Sequence, residues 1–413
     1  MTDGKRHVLR YAVLFVSVVV ILEAVTYVFG KYYLLRSPAS FLLFDPTVTL
    51  SADYVESYFS RRDPVLGWPP VDWKGSRRYD RTGARHSPAF PEPGSACVSL
   101  YGDSFTYGTD VAHQHAWGNV LAKLLGCRVA NYGVPGYGPD QSYLRFKWNG
   151  NDEASVVILG FATCDILRVV NQDRRLLSDQ YGGPKLKPRF ILTEGNELVH
   201  IPIPDIGPGQ VDDYLRHPQE YLCHEWFLPN SKDGGVVFRF PFTISVGWAL
   251  LRPRAVNFLA SRPSWVDFYD QSHESSALPL VVQISRAFDE LAKQRGKHPL
   301  ILVMPTATHL RLQMKEGRNP AAPLLENLRK EGIGFLDLSE GLLSELGDKH
   351  YRELFASRRS TATHYSIYGS EIVATILKEH LAGLPLLSGG KEALDAQVRN
   401  TYPRENYSDT RRP

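Results

Sequence analysis

Three short stretches of this chain hold residues whose types and spacing could do chemistry. "SLYGDSFTYGTD", Ser99 to Asp110, puts Ser104 directly after an apolar run. "NYGVPGYGPDQ" carries Gly133, Gly136 and Gly138, and "STATHYSIYGSEIVA" carries His364. A serine nucleophile needs a base to take its proton, donors to hold the developing oxyanion and a group to orient the base. His364 is the candidate base. The backbone N–H groups of Ser104 and Gly136 are candidate oxyanion donors, since glycine lets the chain approach a ligand closely. Each motif also has a plain reading. Gly, Asp and Ser favour turns, the glycines suit an ordinary loop, and with 13 histidines His364 is also readable as a loop residue. His113 and His115 lie close to Ser104 in sequence but read as surface residues at the start of a helix.

The elements that would position these residues can be read from hydrophobic patterning. "ACVSLYGDS" is an apolar run ending in turn residues, as a buried strand does. "CRVANYGV", "SVVILGF", "PLILVMPT" and "IGFLDL" read as four more strands. Between them lie helical patterns. In "DVAHQHAWGNVLAKLLG", Trp117, Leu121 and Leu125 share a stripe beside Ala116, Val120 and Leu124, and Gly126 suits a C-cap. "DQSYLRFKWN" reads as helix, and "YGSEIVATILKEHL", Tyr368 to Leu381, closes the pattern. Short apolar strands alternating with helices predict a parallel sheet covered on both faces. Ligands of such sheets bind beyond the carboxyl ends of the strands, which is where Ser104 and the glycine loop would lie.

The three motifs, in this order over residues 97–381, resemble those of the SGNH (GDSL-type) hydrolase family. The resemblance implies an α/β fold, a flavodoxin-like three-layer α/β/α sandwich. It also implies hydrolysis or transfer of acyl esters without metal or cofactor. It makes Ser104 the nucleophile, His364 the base, and Ser104 and Gly136 the oxyanion donors. Two departures stand out. The family's third block usually supplies an asparagine to the oxyanion hole, where "LGFATCDILR" has Cys164 and Asp165. A carboxylate there would repel an oxyanion unless turned away or protonated, and nearby Asn171 is a possible substitute. The family's last block usually has Asp three residues before His, where this chain has Thr361. His364 would then be oriented by Thr361, by a backbone carbonyl or by an acid from elsewhere such as Asp103. In the implied fold Cys97 and Cys127 start neighbouring strands, so they either form a disulfide or remain two small buried thiols.

The bulk numbers bound the rest. The 413 residues are 43% hydrophobic, as a globular chain with a real core would be. With 47 basic and 44 acidic residues, nothing argues for a nucleic-acid partner. No CxxC pair and no ligand spacing supports a zinc site, and a metal hydrolase built on Asp103, Asp165 and His364 is the weakest reading. Tyr11 to Phe29 is an apolar run interrupted by Glu23, close to the length needed to cross a bilayer. Lys5, Arg6 and Arg10 before it, against Lys31 and Arg36 after it, favour the N-terminus inside. A signal peptide and a buried soluble helix are the alternatives, though "EAVTYVFGKYY" is a poor cleavage site. The expected organisation is an anchor over 1–30, a leader over 31–95 packing on the main domain, and a catalytic domain over 96–385 facing the periplasm or exterior. That domain has an aromatic insertion at about 172–280, and a polar tail over 386–413 follows. The expected activity is that of an esterase or acyltransferase acting on an acyl ester, of a glycan or a lipid. The alternative is a catalytically degraded binding or assembly protein on the same fold, serving an exported polysaccharide.

Overall fold

The computed structural model describes residues 3–177, 183–357 and 363–383. Its centre is a five-stranded sheet of β1 (Val98–Gly102), β2 (Val129–Asn131), β3 (Val156–Ala162), β4 (His298–Met304) and β5 (Phe335–Asp337). All neighbours are parallel, in the order β2-β1-β3-β4-β5. This is the flavodoxin-like order, with its switch point between β1 and β3.

Side chains alternate across each strand, so each strand feeds two cores. Tyr101, Val157, Leu159, Phe161, Ile301 and Val303 face one core, with helices Pro139–Trp148, Ala277–Gln294 and Ala322–Lys330. Val98, Leu100, Val156, Ile158, Leu300 and Leu302 face the other, with helices Trp117–Leu125, Leu338–Leu346 and Ile367–Leu381. The expected three-layer α/β/α architecture is therefore present. The buried stripe of helix Trp117–Leu125 is the Trp117/Leu121 side, while Leu124 is exposed. Gly126 caps this helix in the left-handed region, donating to Ala122 O.

The insertion between β3 and β4 is part of the core. Leu186, Phe190, Tyr214, Leu215, Leu222 and Phe227 join the cluster on the first face of the sheet. The leader contributes as well: Leu43–Phe44 pairs in parallel with Val236–Val237, and Phe44 is buried in that same cluster.

Cys97 and Cys127 form a disulfide across the entrances of β1 and β2, with their Cα atoms 6.1 Å apart. It closes a loop with a sequence separation of 30. Loop-closure entropy gives such a bridge ~3–4 kcal/mol. A Cys97→Ser/Cys127→Ser chain is expected to lose about that much in a urea unfolding curve. An unchanged midpoint would show that the bridge constrains little.

At the N-terminus, helix Asp3–Val28 runs on through a wider turn at Phe29–Leu34. The 29 residues Arg6–Leu34 are long and apolar enough to cross a membrane. Its apolar side chains stand exposed rather than packed in a core. That excludes the buried soluble helix.

Candidate active site

The site is built on the carboxyl end of β1. Gly102 ends the strand where the chain turns back tightly. A Cβ there would lie 2.0 Å from Thr106 Oγ1 and 2.3 Å from Gly160 O, so only glycine fits. Asp103 then caps the four-residue helix Ser104–Tyr107, its Oδ1 accepting from the N–H groups of Phe105 (2.9 Å) and Thr106 (3.1 Å). Asp103 is thus spent on shaping the turn and does not orient His364. Ser104 is left at the first helical position, 8% exposed. Its own N–H is not among the donors Asp103 satisfies.

The glycine loop follows β2 and is locked onto the same edge. Val134 N–H donates to Gly102 O (2.9 Å), and Asn131 Nδ2 donates to Thr106 O (2.8 Å). Gly136 has φ +90°, a conformation side chains resist. Trp68 Nε1 donates to Pro135 O (3.1 Å), which fixes the plane of the Pro135–Gly136 peptide. Because that peptide is planar, the Gly136 N–H points away from Trp68. Among the described residues it has no hydrogen-bond partner.

His364 comes from the loop before the last helix. Its ring packs on Phe105, the residue after Ser104, with centroids 4.9 Å apart. Its partner is Asp110, which the sequence reading missed. Asp110 Oδ2 accepts from His364 N–H (3.0 Å) and Thr363 Oγ1 (3.2 Å), and lies 3.1 Å from His364 Nδ1, though the ring N–H is not aligned on it. Partial burial raises the Asp110 carboxyl, but the His364 and Thr363 contacts outweigh it and hold the group below the usual range. Asp110 ends the same "GDSFTYGTD" stretch that holds Ser104. An acid six residues after the nucleophile in sequence was the only available signal. Thr361 lies outside the described residues. No hydrogen bond joins Ser104 Oγ to the His364 ring in this structure.

In the third block Asp165 meets the exception stated for it, being turned away and raised toward its protonated form, while Asn171 does not take the substitute role. Asp165 is fully buried and turned to Arg168, whose Nη1 donates to its Oδ2 (2.7 Å). Arg168 Nη1 also donates to Tyr137 O (2.6 Å) and lies 3.9 Å from Asp103 Oδ2. Burial pushes the Asp165 carboxyl well above the ordinary range. Arg168 opposes this and the neighbouring Asp103 reinforces it. One guanidinium between two carboxyls is balanced when one carboxyl keeps a proton. Cys164 is no nucleophile here: burial pushes its thiol up to about 12. Asn171 does not substitute for the missing asparagine. Its Nδ2 donates to Asp173 O (2.7 Å) and Glu225 Oε2 (3.0 Å), inside a buried network. Among the described residues no three His, Cys, Asp or Glu side chains are grouped to hold a metal ion.

The Asp165 arrangement has a sign that can be tested. In the unfolded chain an aspartate loses its proton near pH ~4. In the folded chain Asp165 keeps it to higher pH. The stability it contributes is therefore present below pH ~4 and falls away as pH rises through the raised value. Asp165→Asn cannot ionise, so its Tm relative to the parent chain is expected to climb from pH 4 upward. A constant offset across that range would contradict the protonated form.

Two cavities flank the glycine loop, and Pro135 lines both. The larger, of about 430 Å³, is walled by Gly136, Trp68, Tyr58, Arg62 and Arg174, but by neither Ser104 nor His364. The smaller, of about 270 Å³, is walled by Tyr107, Thr109, Arg85 and His113.

No protein-family model and no curated protein matches the chain. Several solved structures are similar at low identity. A member of the lipolytic protein G-D-S-L family from Veillonella parvula is 13% identical, over 70% of this chain and 98% of its own, with a TM-score of 0.34. LAE5, an alpha/beta hydrolase enzyme from the metagenome of Lake Arreo, is 10% identical over 70% and 95%, with a TM-score of 0.33. The salicylyl-acyltransferase SsfX3 from a tetracycline biosynthetic pathway is 11% identical over 71% and 58%, with a TM-score of 0.32.

Proposed function

We propose that this protein is a membrane-anchored serine esterase or acyltransferase that acts on an acyl ester outside the cytoplasm. The reading rests chiefly on one observation. The short segment after β1 carries both Ser104 and Asp110, and Asp110 grips His364 through its backbone and lies against its ring. Ser104 Oγ attacks the ester carbonyl while His364 takes its proton. The N–H groups of Ser104 and Gly136 receive the oxyanion. His364 then returns the proton to the leaving alcohol, and water or an acceptor hydroxyl completes the second half. Asp110 is a positioning residue that orients the ring and offsets its charge. Hydrogen bonds between nucleophile and base often tighten only when substrate binds.

The cavity beside Gly136 suits the non-reacting part of the ester. Its aromatic and guanidinium walls suit either an acylated glycan or a lipid ester. The compartment is supported by the Cys97–Cys127 disulfide, since such bridges persist where the environment is oxidising. Retention of the N-terminal helix is supported by its packing: Glu23 accepts from Phe242 and Thr243, and Tyr27 packs on Phe238 and Phe242. A cleaved segment would leave those partners bare.

A second reading, a binding or assembly protein with a degraded site, draws on the absence of the third-block asparagine and of a Ser104–His364 hydrogen bond. A fluorophosphonate probe separates the two. Labelling of the parent chain but not of Ser104→Ala supports the enzyme, and a folded parent chain that stays unlabelled supports the binding protein.

A further inference from the structure

Helix Phe242–Leu250, "FTISVGWAL", has no charged side chain and is apolar all round. One side, Ser245, Val246 and Ala249, packs inward, Val246 and Ala249 in a small core with Leu35, Leu43 and Phe238. On the other side, among the described residues, only the Arg252 guanidinium lies over a ring, that of Trp248, at 6.0 Å. Ile244, Trp248 and Leu251, spaced i, i+4, i+7, are 67%, 58% and 75% exposed, flanked by Phe240 at 70% and Leu259 at 74%. A helix apolar on every side belongs in a core or in a membrane, and a contiguous apolar patch of this kind marks an interaction surface.

The depth of this patch follows from its link to the N-terminal helix. The Glu23 carboxylate accepts from Phe242 N–H (2.5 Å), Thr243 N–H (3.3 Å) and Thr243 Oγ1. Glu23 therefore meets the start of helix Phe242–Leu250. Lys31, eight residues further on, pairs with Asp45 of the soluble body and marks where the polar region begins. Eight helical residues place Glu23, and with it Phe242 and Thr243, on the order of 10 Å below that level. Gly30 lets Phe238 close against the helix, since a Cβ there would lie 2.4 Å from its ring.

We propose that residues 240–259, helix Phe242–Leu250 followed by helix Pro253–Leu259 with Arg252 and Arg254 turned back onto the Ser231 and Asp233 carbonyls, form a second membrane element, a helical hairpin lying in the bilayer leaflet where the N-terminal helix ends, with lipid as its partner. This rests on the reading that Arg6–Leu34 crosses the membrane. Interfacial helices bury their apolar face ~5–10 Å into the headgroup and acyl boundary, which matches the depth set by Glu23. A groove of about 480 Å³ lined by Val236, Phe240, Ile244, Trp248 and the exposed Arg239 offers an apolar bed with a cation beside it. The hairpin holds the catalytic body close to the surface. It also covers a carboxylate that would otherwise be costly at that depth.

The test uses the full chain in phosphatidylcholine–phosphatidylglycerol vesicles, with bromine atoms high on the acyl chains. The chain has seven tryptophans, so Trp248 is read as the difference between the parent and Trp248→Phe. Its emission is expected to be lost in brominated vesicles and to return in Leu251→Glu/Leu259→Glu. Unquenched Trp248 in a chain that resists alkaline carbonate extraction would overturn the hairpin while leaving the span intact. The same holds if the patch is instead covered by a second copy, seen as cross-linking at position 248 without quenching. Release of the parent chain by carbonate would remove the span reading itself.

Discussion

Ser104→Ala is expected to abolish turnover of a model ester, with losses approaching ~10⁶-fold in kcat where chemistry limits the rate. The alanine chain keeps what the oxyanion donors and binding supply by themselves, ~10³–10⁴-fold over water. The fold should not notice the change. Ser104 Oγ donates no hydrogen bond among the described residues, and the turn is held by Asp103 and Gly102 instead. An unchanged Tm with lost turnover is thus the expected pair of results. Turnover that survives in a preparation shown free of other esterases would remove Ser104 from the mechanism.

Asp110→Asn is the second large effect. It keeps the shape of the side chain and the acceptor for His364 N–H, but removes the charge that orients the ring and balances the imidazolium. A loss on the order of 10²–10⁴-fold is expected in kcat, with KM little changed. Asp110→Glu should recover part of it, which a merely structural residue would not require. The linkage also has a sign. The Asp110 carboxyl is held below its ordinary value, so the stability it contributes is present above pH ~4 and is lost as pH falls through the lowered value. The parent chain should therefore lose stability relative to Asp110→Asn on acidification below pH 4. Equal kcat for the two chains at neutral pH would leave His364 without a functional orienting acid.

Much of the site was legible because its signals are local. Ser104 follows an apolar strand, Gly136 sits in a glycine loop after the next strand, and His364 precedes the last helix. Each is a strand-end position that the strand–helix alternation predicts. The neighbouring strands left a Cys97–Cys127 bridge or two buried thiols open, and the structure decided for the bridge. The helpers were not legible. Thr361 stands where an aspartate was expected, and Asp103, offered as one replacement, is used as a helix cap. The acid beside His364 is Asp110, 254 positions away in the chain. Asn171 looked available by sequence distance, yet the fold commits its amide to Glu225. The insertion carried little periodicity because its side chains fill one face of an existing core instead of forming a regular face of their own.

The sequence by itself determined many of the elements: five apolar strands, the helices at Trp117–Leu125, Pro139–Trp148 and Ile367–Leu381, the cap at Gly126, and an N-terminal helix of membrane length. Those follow from patterns that repeat within a few residues, where local propensity and periodicity act. Helices Ala277–Gln294, Ala322–Lys330 and Leu338–Leu346 emerged only in the fold. The tertiary structure decided the pairings. It set Asp110 against His364, Arg168 between Asp103 and Asp165, and Glu23 against Phe242, 219 positions apart. A buried charge must find a partner wherever the packed chain presents one; Arg168 and Asp165 are only three residues apart, but no window of sequence contains both members of Asp110–His364, Arg168–Asp103 or Glu23–Phe242.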